Sequence, residues 1–332
     1  MRTQILLVAL IPLLVGQPSW SQQAKKKKII NRYSHTLIEQ EDGSYKVPSV
    51  VLDVLGDDVP GDLCTPYKAV PRVPKEDVAE VPCEEVVYKS YSDHELKLYI
   101  VPPVGSDKPA PVVCFIHGGG WSAGDPSSFV LPAKYVAKYG GLAAVSIGYS
   151  LAKYKDVDIQ VTMKDLHDAI QYLRDHAEEY NLDTSRLAFA GSSAGGHLSA
   201  MMAFTEPDTK VLSGWSGPYD LESHLSFWSG GKKASMRNYF LCFSAEKSSQ
   251  YSPVNIIPYN RQIAVQLFQG TGDPSVHFEQ AIVLEKALKE AGQKTVECNI
   301  YPYYGHGLTG SSDKGRECMS KFLLFTKQHI YD

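Results

Sequence analysis

The sequence predicts an α/β fold with a mostly parallel central sheet flanked by helices. Strand-like apolar runs alternate with segments of helical composition along most of the chain, the pattern of layered α/β domains. Runs at 111–116, 186–190 and 263–268 are almost wholly apolar, as strands covered on both faces should be. A length of 332 residues with 43% hydrophobic content is enough for one large domain with a sizeable core.

The N-terminal part stands apart. Residues 5–15 form an apolar stretch behind Arg2, too short to span a bilayer comfortably, and Ser19 and Ser21 suit a peptidase site before Gln22. Residues 1–21 therefore read as a signal peptide, with an uncleaved anchor as the alternative. Residues 22–83 read as an N-terminal extension, polar and proline-rich, with Lys25 to Lys28 a solvated linker run. Residues 84–332 read as the α/β domain. An exported product, secreted or periplasmic, is the expectation. In an oxidising compartment Cys64 could pair with Cys83, and Cys298 with Cys318, while Cys114 reads as a buried thiol.

From residue 84 the elements follow in order. Segments 85–91 and 95–102 flank Ser92, Asp93 and His94 as a hairpin. The strand at 111–116 runs into His117-Gly118-Gly119-Gly120-Trp121. Helices are expected at 129–138 and 161–180. The strand at 186–190 leads into Gly191-Ser192-Ser193-Ala194-Gly195, and 196–203 has helical composition. Strands near 210–214, 263–268 and 295–300 follow, the last closing the sheet, with helices at 278–291 and 316–328.

Two loops carry chemistry. A serine on a sharp strand-to-helix turn is pushed out with its hydroxyl exposed, and small residues at 191, 195 and 196 permit the turn, so Ser193 is the candidate nucleophile. Attack on a carbonyl builds charge on oxygen, which N–H donors must meet. Glycines 118–120 let backbone approach a substrate closely, and Ala194 N–H, just after the nucleophile, is a further donor. Serine also needs a base and an orienting acid. His306, between two glycines after the last strand, is the candidate base. Asp273, in the turn Gly270-Thr271-Gly272-Asp273-Pro274, is the candidate acid, with an N-cap role for the next helix as the alternative. Asp220 is the rival acid. His117 and His197 read as packing or loop-fixing residues.

Other chemistries lack their signatures. No HExxH or paired CxxC spacing supports a metal site, and no GxGxxG or GxxxxGK[ST] follows a strand, so no metal or cofactor is expected. A net charge of −4 and the lack of a basic domain give no support to nucleic-acid binding.

With HGGGW, GSSAGG and an acid turn containing Asp-Pro, the chain from about residue 84 onward resembles the α/β-hydrolase superfamily. It is most similar to the carboxylesterase and hormone-sensitive-lipase-like branch, including bacterial secreted acetyl and feruloyl esterases. The resemblance implies a triad of Ser193, Asp273 and His306, with Gly119, Gly120 and Ala194 as oxyanion donors. It also implies a short cap insertion, which would fall in the Ser-, Gly- and aromatic-rich stretch 221–252 with Phe227, Trp228, Tyr239 and Phe240. The expected activity is that of a secreted serine carboxylesterase cleaving short-chain or carbohydrate-linked acetyl or feruloyl esters through an acyl-enzyme. Its partner would be a small-molecule or polysaccharide-linked ester, with no nucleic acid and no stable membrane insertion after signal cleavage. Alternatives of the same fold are a serine peptidase and an arylformamidase-like amidase; residues 22–83 are too few for the propeller that the peptidases carry. A non-enzymatic module on the same scaffold would commonly lose the nucleophile, which this chain retains. Two departures fall near the cleft. Tyr149-Ser150-Leu151-Ala152-Lys153-Tyr154 stands where the branch has YRLAPE, and Gln269-Gly270 stands where it has His-Gly.

Overall fold

A computed structural model describes residues 38–39, 45–46 and 78–332, apart from 107, 227–229, 242–249, 274, 302–303 and 307–312. The chain divides into two compact units, Met1–Val51 and Leu52–Asp332. In the first, β1 (Ile38–Glu39) pairs antiparallel with β2 (Tyr45–Lys46). The expected signal peptide, the lysine run and Cys64 lie outside the described residues.

The second unit is built on an eight-stranded sheet. Its strands are β3 (Glu84–Ser90), β4 (Glu95–Val101), β5 (Ala110–Ile116), β6 (Ala143–Ile147), β7 (Leu182–Ser192), β8 (Thr209–Trp215), β9 (Ala264–Gly270) and β10 (Val296–Tyr301). They lie in the order β10-β9-β8-β7-β5-β6-β4-β3. The pairings β3–β4 and β4–β6 are antiparallel and the other five are parallel. This is the mostly parallel sheet that the apolar runs predict, and β5, β6 and β9 are buried at every position.

Period-two alternation splits the core into two clusters. Val112, Cys114 and Ile116 of β5 join one cluster, while Val113 and Phe115 join the other. The first cluster packs under α2 (Ile159–Asp175), α3 (Ala194–Thr205) and α6 (Glu279–Glu290). The second packs under α1 (Val130–Gly140) and α7 (Asp313–His329). Val78 and Val81 also belong to the second cluster. The cysteine pairing expected between 298 and 318 does not form. Cys298 packs against the first cluster and Cys318 lies within the second, so the sheet separates them and neither is in a disulfide. Cys83 is in none either, and Cys114 is buried, with its thiol ionisation pushed well up by desolvation.

Several boundaries move. The helix expected at 161–180 spans Ile159–Asp175, because Asp158 caps it by accepting from Gln160 and Val161 N–H at 2.9 and 3.1 Å. It ends at Asp175, after which the chain turns through 176–181 before β7 begins at Leu182, four residues ahead of the apolar run at 186–190. Among the described residues of the cap region are two helices, α4 (Leu221–Ser226) and α5 (Gly230–Tyr239), which its Ser, Gly and aromatic content did not announce.

Chain order sets where a site can be. From β5 the chain passes through α1 to β6 on one side, then crosses through α2 to β7 on the other side of β5. Such a switch point leaves a crevice at the carboxyl ends of the two strands. Both glycine motifs emerge there, with Ile116 opposite Gly191 in the register.

Candidate active site

The elbow at the end of β7 is strained in the way a nucleophile turn requires. Ser193 adopts φ 60° and ψ −124°, a left-handed conformation unusual for a residue with a side chain, directly before α3. The turn is possible because β5 and α3 nearly touch: a Cβ on Gly195 would lie 2.0 Å from Ile116 O. The oxyanion loop is equally close, since a Cβ on Gly118 would lie 2.7 Å from Ser192 O.

That loop is folded by positive φ at Gly119 (122°), Gly120 (59°) and Trp121 (58°). Gly119 O accepts from Ser122 and Ala123 N–H at 3.3 and 3.0 Å, closing a turn. Among the described residues, the N–H groups of Gly119, Gly120 and Ala194 make no hydrogen bond beyond the elements, so they are available as donors. His117 fixes the loop from within. Its Nδ1–H donates to Gly118 O at 2.8 Å, its ring stacks on Tyr149, and burial holds its protonation below the ordinary imidazole range.

The divergent segment after β6 braces the loop from outside. Tyr149 Oη donates to His117 O at 2.8 Å, and Ala152 N–H donates to Trp121 O at 2.8 Å. Ser150 N–H donates to buried Asp165 at 3.0 Å, whose other oxygen accepts from Lys89 at 2.7 Å and Tyr91 at 2.6 Å. Ser150 takes part in a further chain. Its hydroxyl is hydrogen-bonded to His94 Nε2 at 2.8 Å, and His94 Nδ1 to Asp93 at 2.7 Å, with the His94 ring stacked between Tyr91 and Tyr154. Ser150 is fully buried.

The acid and base come together. His306 Nδ1–H donates to Asp273 Oδ2 at 2.7 Å, and the Asp273 carboxylate is wholly shielded from solvent. Its Oδ1 accepts from Ser275 and Val276 N–H at 2.8 and 3.0 Å. The carboxylate therefore caps a turn as well as holding the histidine, but it does not cap the next α-helix, which starts only at Glu279. Asp220, the rival, caps α4 by accepting from Glu222 N–H at 3.1 Å.

Backbone bonds lace the loops across the carboxyl end of the sheet. Ser193 N–H donates to Trp215 O, Ser216 N–H to Phe268 O, Thr271 N–H to Tyr301 O and Gly272 N–H to Tyr304 O, at 2.8 to 3.1 Å. The elbow, acid turn and histidine loop thus hang on one ladder. No hydrogen bond joins Ser193 Oγ to His306 Nε2, a contact that is commonly long before substrate binds.

The packing role read for His197 holds, and its partners and those of Gln280 are what sequence reasoning missed. His197 is fully buried, accepts from Trp121 Nε1 at 3.3 Å and donates from Nε2 to Tyr251 O at 2.8 Å, tying the oxyanion loop to the end of the cap. Tyr239 and Phe240 pack on Trp121 from the cap side, with the Phe240 ring edge-on at 4.8 Å. Tyr239 Oη also bonds Thr162 Oγ1 at 2.9 Å, so these aromatics serve packing. Gln280 of α6 accepts from Tyr219 and Asp220 N–H at 2.7 and 2.8 Å, fixing the entry to the cap. Polar residues on otherwise apolar helix faces are the signal that marks His197 and Gln280. Phe227 and Trp228 lie outside the described side chains.

A half-buried serine on an elbow, an imidazole held by a buried carboxylate and available N–H donors at one end of a mostly parallel sheet define an α/β-hydrolase-type centre. The BD-FAE family profile matches residues 98–288, and the chain belongs to this family. It is similar to the carboxylesterase NlhH of Mycobacterium tuberculosis, 36% identical over 134 residues, covering 40% of this chain and 41% of that one. It is also similar to an acetyl esterase of Salmonella paratyphi B, 27% identical over 236 residues, covering 65% and 70%. An esterase of Gibberella moniliformis matches over 96 residues, so the chain spans 30% to 41% of the length of two of these curated relatives. Among solved structures, the propionate-bound esterase Est2 of Thermogutta terrifontis superposes with a TM-score of 0.62 at 24% identity, covering 75% of this chain and 95% of that one. That likeness concerns the fold.

Burial pushes His197 protonation down from 6.5 to about 4. The unfolded chain binds this proton below its ordinary value while the folded chain refuses it, so stability falls as pH drops from 6.5 to about 4 and is untouched above that window. His197→Gln can keep both bonds without a titrating group. Denaturant titrations at pH 7 and pH 4 are expected to show the variant losing less stability than the parent, by up to about 3 kcal/mol. Equal losses would exclude His197 as a source of acid sensitivity.

Proposed function

We propose that this protein is a serine carboxylesterase, with the Asp273–His306 pair at 2.7 Å beside the Ser193 elbow as the observation that carries the reading. Ser193 Oγ attacks the ester carbonyl while His306 Nε2 takes its proton. Asp273 keeps the imidazole in the Nδ1–H tautomer and stabilises the imidazolium. The N–H groups of Gly119, Gly120 and Ala194 receive the oxyanion. Collapse of the tetrahedral intermediate expels the alcohol, which takes the proton from His306 and leaves an acyl-enzyme on Ser193. Water, deprotonated by His306, then releases the acid and restores the serine. The names of the similar proteins, acetyl esterase and carboxylesterase, support ester substrates with short acyl groups. Acetyl or feruloyl groups on carbohydrate are the class we assign.

Ser193→Ala is expected to fold normally and to lower kcat by roughly four to six orders of magnitude. The measurement is hydrolysis of p-nitrophenyl esters of rising chain length, with acetylated xylan, methyl ferulate and a formamide as the discriminating substrates. An organophosphonate should label Ser193 alone. Labelling at Ser192 or Ser199, or preference for the formamide, would overturn the assignment.

Asp273→Asn should cost on the order of 10⁴ in kcat by favouring the wrong histidine tautomer, while Asp220→Asn should change kcat far less. The reverse ranking in steady-state kinetics would move the acid to the cap entry.

Export is part of the proposal, supported by the apolar stretch at 5–15 and by Ser19 and Ser21. N-terminal sequencing of the protein from a secreting host should begin at Gln22. A product that retains residues 5–15 would indicate an anchored form.

A further inference from the structure

We propose that Gln269 is a positioning residue for the acid: its amide N–H group holds the Asp273 carboxylate in place for His306. The inference rests on the reading of Ser193, His306 and Asp273 as a hydrolytic triad.

Gln269 is the penultimate residue of β9 and is fully buried. Its Nε2 lies 3.1 Å from Asp273 Oδ2, 3.2 Å from Val276 O and 3.3 Å from Gly270 O. All three neighbours are acceptors, so only the NH2 end of the amide can face them; the flipped amide would set oxygen against three oxygens. On the other side, Oε1 is buried with no partner. A buried orphan oxygen is destabilising, and an apolar side chain of similar length would avoid it. The position therefore carries a stability cost whose return is an N–H donor beside the acid.

That donor has a geometric task. Asp273 Oδ1 is fixed by Ser275 and Val276 N–H, but among the described residues Oδ2 bonds only His306 and Gln269. Without the amide, the carboxylate plane could turn about its Oδ1 anchors, taking the His306 bond with it. The contacts to Gly270 O and Val276 O also grip both ends of the acid turn. Gln269 stands where the resemblance expects a histidine, and a ring N–H could serve the same acceptors.

The test uses the full chain. Gln269→Met is expected to lower kcat roughly 10- to 100-fold, the loss of one hydrogen bond to a charged group, with KM little changed. The downfield proton resonance of His306 Nδ1–H should shift or broaden in the same variant, and Gln269→His should restore most of kcat. Parental kcat and an unmoved resonance in Gln269→Met, with Asp273→Asn inactive in the same assay, would overturn this inference alone. A fully active Asp273→Asn would remove the triad reading beneath it. If Gln269→Met does not fold, Gln269→Glu decides. A second carboxyl at this distance must take a proton to keep the contact, so its kcat loss relative to the parent at the same pH should shrink as pH is lowered. Parental kcat in Gln269→Glu at every pH would overturn the proposal.

Discussion

Everything in the site hangs on the near-contact of two strand ends. β5 and β7 are neighbours although they are separated in sequence by α1, β6 and α2, and their carboxyl ends emerge side by side. For the elbow to turn into α3 at that place, Gly195 must pass within van der Waals reach of Ile116 O. No side chain fits between them. The same closeness brings the glycine loop after β5 against the backbone of Ser192, so nucleophile and N–H donors share one edge of the crevice. Removing the space restriction would leave both loops intact but apart.

The histidines show how one residue type divides labour by environment. His117 spends its Nδ1–H on the carbonyl of its own loop, and His197 has both nitrogens engaged between Trp121 and Tyr251. Burial keeps both neutral, which suits scaffold positions where a charge would be costly. His306 differs from both in that a carboxylate engages its Nδ1 and its ring is partly exposed. That arrangement leaves its other ring nitrogen without a hydrogen bond among the described residues and fixes its tautomer.

Much of this was legible in the sequence because it lives in local patterns. The apolar runs located β5, β7, β8, β9 and β10, and glycine spacing located both loops, since backbone constraints select residue types position by position. Ser193, His306 and Asp273 could be chosen because each follows a strand and so must surface at the same edge. Tertiary competition was not legible. The helix before β7 carried helical composition to Tyr180, yet it stops at Asp175 and the chain turns through 176–181, where Leu182 N–H bonds Ala177 O at the start of the strand. Cys298 and Cys318 were plausible partners on adjacent elements until the sheet placed them on opposite faces. Gln269 registered only as a departure from a motif, because its meaning depends on three acceptors drawn from 270, 273 and 276.

The bonded chain of Ser150, His94 and Asp93 bears on how such centres are recognised. In connectivity it matches a catalytic triad, with hydroxyl to Nε2 at 2.8 Å and Nδ1 to carboxylate at 2.7 Å. Yet it faces the opposite way: the serine is sealed in the interior and the aspartate is on the surface. A search for three side chains in the right order of contact would return this group, but not the proposed centre of Ser193, His306 and Asp273, in which no serine–histidine hydrogen bond is formed. On the proposed reading, what separates the two groups is accessibility and the bare backbone N–H groups beside Ser193, and a three-atom template is blind to both.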